Sequence, residues 1–163
     1  MLRPFKEQLE FGQAGEYRVR EALCAAGAFV SKFHNTNSND FQLHYNNQTH
    51  RVEVKCEDRM RHTGNICIEV MQGRPSKPSG LAVSEASVCV HTFGDDVALF
   101  RRAKMIAHIR ESLVGTSKYD LRVVGDNYNK AILMSLEGVF RYLGDWVDYR
   151  PMTTIGGSHV WNY

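Results

Sequence analysis

Residues Asp40–Lys55, DFQLHYNNQTHRVEVK, alternate apolar and polar side chains on both sides of an Asn-Asn-Gln-Thr stretch. Period-two alternation marks strands with one buried face, and the polar residues between them mark a turn, so the segment predicts a β-hairpin. With Asn46 to Thr49 as the connection, Tyr45 lies opposite His50, Leu43 opposite Val52 and Phe41 opposite Val54, forming an apolar face. Successive side chains of a strand point to opposite faces. The other face therefore carries Asp40 opposite Lys55, with Glu53 two residues back on the same side. Two carboxylates and an ammonium converge there.

Working outward, Leu9, Gly12, Glu16, Val19, Leu23 and Ala26 recur at intervals of three and four, predicting a helix from about Phe5 to Ala26 with that stripe facing the core. Strands rich in β-branched and aromatic residues follow at about Ala28–Phe33, Phe41–Tyr45, His50–Cys56 and Ile66–Met71. The loop GRPSKPSG (Gly73 to Gly80) and a turn at Ser84–Ala86 lead to two further strands, SVCVHTF and VALFRR, and to an amphipathic helix, KMIAHIRESL. A second loop is GDNYN (Gly125 to Asn129); beyond Tyr119 the AILMSLEGVF segment and the aromatic tail are less legible. The expected architecture is a single α/β domain over residues 1–163, a mixed central β-sheet flanked by helices, with the leading helix followed by a β-meander. Its core is expected at about 5–113, with 119–163 an extension whose role the sequence leaves open.

Composition agrees with one domain: 163 residues, 43% hydrophobic and 23% charged. A net charge of +2 permits a polyanionic partner without requiring one. Cys24, Cys56, Cys67 and Cys89 are scattered among apolar neighbours with no CxxC pair, which suggests neither a zinc site nor a disulfide framework and predicts buried reduced thiols. Histidines such as His34, His44, His62 and His91 lack metal-ligand spacing. A polar N-terminus and the lack of a long apolar run predict an intracellular, cytoplasmic protein with no membrane partner.

Glu16 interrupts the apolar stripe of the first helix, and a carboxylate turned toward a core needs a partner. A hard divalent cation held by Asp40 and Glu53, with Glu16 reaching it from the helix and Lys55 beside it, accounts for both anomalies. Oxygen ligands at few positions suit Mg²⁺, which shares its coordination with substrate phosphate and so points to phosphodiester chemistry. A bland alternative is an ion pair on a solvated sheet face, worth under about 1 kcal/mol.

Asp40 together with Glu53-Val54-Lys55 resembles the PD-(D/E)xK nuclease superfamily, and Glu16 in FGQAGEYRVREAL resembles the helix glutamate of its Holliday-junction-resolvase branch and related phage endonucleases. The similarity spans about Phe11 to Val90, with Asn39 where the superfamily often has proline. The resemblance implies a restriction-endonuclease-like core and a Mg²⁺-dependent endonuclease acting on DNA, branched DNA included, in recombination, repair or phage DNA processing. It implies Asp40, Glu53, the Val54 carbonyl and Glu16 as metal ligands, Mn²⁺ as a substitute metal, Lys55 as the group that orients water or offsets developing charge, and a homodimer. Restriction or homing nucleases, and a nuclease fold that binds DNA without cutting, are the alternatives.

Glu69, on the next strand, either extends the site or is ordinary strand polarity, and Gln72 is vaguer. Arg59, Arg61, Arg74, Lys77, Arg101, Arg102 and Lys104 surround the expected core, and Ser76, Lys77 and Ser79 of the glycine-proline loop are candidate donors to phosphates.

Overall fold

The three-and-four spacing forms helix α1 (Phe5–Ala25), and the Ala26-Gly27 pair ends it. Gly27 takes φ +89°, its N–H donates to the Cys24 carbonyl and that of Ala28 to Leu23, a Schellman closure that glycine adopts without strain. The buried stripe is narrower than the spacing predicts. Val19 and Leu23 are inaccessible, whereas Leu9 is 51% exposed and Ala26 also lies outside the core. In this computed structural model, residues 1–3, 37–38, 58, 114–120, 125–127, 144–146 and 163 lie outside the described part; of residues 5, 32–36, 61, 112–113, 121–124, 140–143 and 147 only the backbone is described.

Strands β1 (Phe29–Thr36), β2 (Asn39–Tyr45) and β3 (Gln48–Cys56) form the expected antiparallel meander. The hairpin closes on two residues, Asn46 and Asn47, both with φ near +50° to +60°, a conformation that asparagine tolerates and that matches strand twist. Gln48 and Thr49 therefore belong to β3. The register becomes Phe41 to Val52, Leu43 to His50 and Tyr45 to Gln48, two residues from the expected pairing. A two-residue shift preserves face parity. Phe41, Leu43, Val52 and Val54 stay together in the core, while Asp40 now stands across from Glu53 instead of Lys55.

The meander stops at β3. After the short helix α2 (Met60–Thr63), β4 (Asn65–Gln72) joins a second sheet of order β5-β4-β9-β8, with β5 (Lys77–Pro78), β8 (Leu121–Val124) and β9 (Asn129–Ser135). β3 instead pairs in parallel with β6 (Val88–Phe93), which pairs antiparallel with β7 (Asp96–Arg101), and β7 with β10 (Val147–Pro151). The first sheet is thus mixed and six-stranded, in the order β1-β2-β3-β6-β7-β10. β4 leaves it because Ile66 and Ile68 bury themselves against Cys89 and Phe100, covering the sheet rather than lengthening it. Helices α3 (Arg102–Leu113) and α4 (Leu136–Leu143) add Met105, Ile109 and Val139 to that layer.

On the opposite face, Phe41, Leu43, Val52, Val54, Val90 and Leu99 pack against Val19 and Leu23 of α1 and against two 3-10 turns, Met152–Gly157 and His159–Asn162. Covered on both sides, β6 is buried at all six positions, which is why it reads as an unbroken run. The sequence leaves the role of residues 119–163 open, and the fold gives them a place. Residues beyond 119 supply two strands of the second sheet, an edge strand of the first and half of one covering layer, because both sheet faces are too apolar to stay open. The thiols are free as expected, but Cys24 is exposed and only Cys89 is fully buried. Among the described residues no helix is long and apolar enough to cross a membrane.

Candidate active site

A cleft of about 450 Å³ lies between the two sheets, with Asp40, Glu53 and Lys55 on one side and Glu69, Ser79 and Gly80 on the other. Hairpin parity carries the first three there. The Lys55 Nζ lies 2.7 Å from Glu53 Oε1, with the Glu53 side chain 13% exposed and that of Lys55 48%. Asp40 Oδ2 accepts the Val54 N–H at 2.6 Å, so the backbone between the Glu and the Lys aims the aspartate.

Glu16 comes from α1, brought in by an unusually close approach of helix to strand. A Cβ at Gly15 would lie 1.9 Å from Cys56 Sγ at the end of β3, so only glycine lets the helix settle there, and the Cys56 thiol donates to the Gly12 carbonyl at 3.5 Å. Burial raises the Glu16 pKa, Lys55 opposes the rise and Glu53 adds to it, so its carboxylate sits in the field of both. Glu69 is held from the second sheet: it accepts from Ser79 Oγ at 2.7 Å and from Asn129 Nδ2 at 2.8 Å. Gly80, at φ +51°, lets the loop press against Glu69, whose carbonyl oxygen would be 2.5 Å from a Cβ.

The structure thus brings Asp40, Glu53, Lys55 and Glu69 to one cleft, with Glu16 beside it. Ser79, a candidate phosphate donor, is buried, and its hydroxyl donates to Glu69. Arg102 likewise donates to the Leu81 and Ala82 carbonyls and anchors the loop. Arg101 is partly buried, with its pKa lowered by desolvation. Arg59, Arg74, Lys77, Lys104 and the rim residue Gln72 are exposed, Ser76 is half-buried, and the side chain of Arg61 lies outside the described residues.

Sequence reasoning missed Glu57, His91 and Asn129. Both Glu57 oxygens accept the Cys67 N–H, at 3.1 and 3.3 Å, and the same carboxylate meets Nδ1 of buried His91. Glu57 follows β3, His91 stands beside Lys55 on β6 and Cys67 belongs to β4, so this trio clasps the two sheets together behind the cleft. It lines an inner cavity of about 200 Å³ that shares Glu53, Lys55, Glu69 and Gly80 with the cleft. Only the parallel β3–β6 register could have revealed it.

Among the described residues no three His, Cys, Asp or Glu side chains are close enough, as they stand, to hold a metal ion; Glu53 turns to Lys55 and Asp40 to the Val54 amide. The donors nevertheless fit a hard cation in kind: carboxylate oxygens facing a polar cleft, crowded enough to raise one another's pKa. Asp40 is pushed up to about 7, mainly by burial, then by Glu53 and Glu16, against the Val54 amide and Lys55. Desolvation lowers the Lys55 pKa, but Glu53 above all, with Asp40 and Glu69, raises it on balance, so the ammonium stays charged.

A stability test follows. The folded protein holds the Asp40 proton up to about pH 7, whereas the unfolded chain releases it near 3.8, so metal-free stability falls across that window as pH rises. Asp40→Asn should exceed the wild type by about 4 kcal/mol near pH 8 and match it near pH 4, measured by chemical denaturation in chelator. Equal stability of the two proteins at both pH values would show that Asp40 is not strained. No family model, curated protein or solved structure matches the chain.

Proposed function

We propose that this chain is a Mg²⁺-dependent endonuclease that hydrolyses DNA phosphodiester bonds, built on a restriction-endonuclease-like core and resembling Holliday-junction resolvases and phage endonucleases of the PD-(D/E)xK superfamily. The observation that carries this reading is the convergence of Asp40, Glu53 and Lys55 on one cleft, with Glu69 facing them and Glu16 alongside. The order of elements supports it: a leading helix, an antiparallel meander bearing the acid on β2 and Glu-x-Lys on β3, then β6 returning parallel to β3.

Asp40, Glu53, the Val54 carbonyl and Glu16 are the groups that would hold Mg²⁺ or Mn²⁺. Held there, such an ion would supply Lewis acidity to the phosphoryl oxygen and a lowered pKa for bound water. Lys55, protonated and half exposed, is placed to donate to a phosphate oxygen as negative charge builds on it. Glu69, fixed by Ser79 and Asn129, is an acceptor able to orient water across the cleft. Exposed Arg59, Arg74 and Lys77 would neutralise flanking phosphates. Cutting both strands of a junction takes two such sites, hence a homodimer.

The test is incubation of the wild type with a labelled four-way junction, flap, duplex and single strand, in Mg²⁺, Mn²⁺ or chelator. Cleavage of at least one substrate with metal and of none with chelator is expected. Binding without cleavage in either metal would overturn the enzymatic reading and leave a DNA-binding module.

A further inference from the structure

Just beyond the cleft, Arg74, placed above as a phosphate contact, is paired with an aromatic ring that the chemistry above does not use. The guanidinium of Arg74 lies over the ring of Tyr128, its Cζ 3.5 Å from the ring centroid. A stacked guanidinium keeps its N–H donors in its own plane, where they point past the ring, and no hydrogen bond occupies those of Arg74 among the described residues. Tyr128 remains 44% exposed and takes φ +52°, unusual for a non-glycine residue.

The chain ties this stack to the site from both sides. Tyr128 precedes Asn129, which donates to Glu69; Arg74 lies two residues past the cleft-lining Gln72, a span of at most roughly 7 Å. Lys77, paired with Gln72 on β5, adds a second exposed cation. Val83, 44% exposed, gives the cleft wall an apolar spot.

We propose that Arg74 and Tyr128 form a platform for an unpaired nucleotide next to the scissile bond, Tyr128 stacking on its base and the Arg74 N–H edge, with Lys77, gripping its phosphate. The proposal deepens the nuclease reading and rests on it: the substrate is nucleic acid with a single-stranded segment at the cleft, such as a flap or an open junction arm. Stacking is available only to bases that have left the duplex, while phosphate contacts serve both forms. The aromatic ring is therefore the part that discriminates.

The experiment is fluorescence anisotropy with the full chain in chelator, so that nothing is cut, using a labelled single strand and a labelled duplex. Tyr128→Ala should weaken single-strand binding about tenfold and duplex binding less than twofold, and Tyr128→Phe should bind as the wild type does. Arg74→Ala should weaken both, and Arg74→Lys should restore duplex binding but not single-strand binding. Thermal melts confirm folding, since both residues are at the surface. Unchanged single-strand binding in Tyr128→Ala, or equal losses on both substrates, would overturn the platform. These outcomes are independent of cleavage. If no metal supports cutting yet the selective Tyr128 loss remains, the catalytic reading fails and the platform stands; if cutting is metal-dependent and Tyr128→Ala binds normally, the platform alone fails.

Discussion

Asp40→Ala should show no metal-dependent cleavage above background, a fall of at least ~10³ in single-turnover rate, while still binding its substrate in chelator. The expectation rests on what Asp40 does in the fold. Its Oδ2 takes the Val54 N–H, and it stands beside Glu53, so its removal deletes a cation ligand and frees the backbone between Glu53 and Lys55. Folding should survive, because the carboxylate is raised to about 7 by a site that disfavours its charge, and its loss relieves like-charge repulsion. Loss of activity without loss of stability is the signature of a site rather than a structural ion pair. A variant that cuts at half the wild-type rate would remove Asp40 from the mechanism.

The largest effect on stability is expected far from the cleft. Trp161 is inaccessible, its Nε1–H donates to the Ile155 carbonyl at 2.9 Å, and its ring meets His50 edge-on at 5.4 Å. Trp161→Ala should cost about 3–5 kcal/mol, a large share of the ~5–15 kcal/mol that holds a domain together. Trp161→Phe keeps most of the volume but leaves the Ile155 carbonyl unpaired, and should cost about 1–3 kcal/mol. Denaturant unfolding of both variants measures this. A cost under about 1 kcal/mol for the alanine variant would mean that the tail is an appendage.

What was legible follows from how local each signal is. α1, β2 and β3 stood out because their periods, 3.6 and 2, are written within a dozen residues. The hairpin register was off by two, yet Asp40, Glu53 and Lys55 still fell on one face because parity survives an even shift. The parallel pairing of β3 with β6 was invisible, since it joins Cys56 to Thr92 across a long excursion through the second sheet. The Glu57–His91 clasp and the Asn129–Glu69 contact were hidden for the same reason. AILMS, an apolar run without period, reads equally as strand or buried helix until β4 is beside it.

The division of the cleft between two sheets bears on when activity begins. The first fifty-odd residues already carry Glu16, Asp40, Glu53 and Lys55, but Glu69 is steadied by Asn129, and the layer that holds α1 against the meander is completed by Ile155, Val160 and Trp161. On the ribosome, then, the nascent chain displays Glu16, Asp40, Glu53 and Lys55 long before it can aim them, and the proposed activity would await the docking of Asn129, Ile155, Val160 and Trp161.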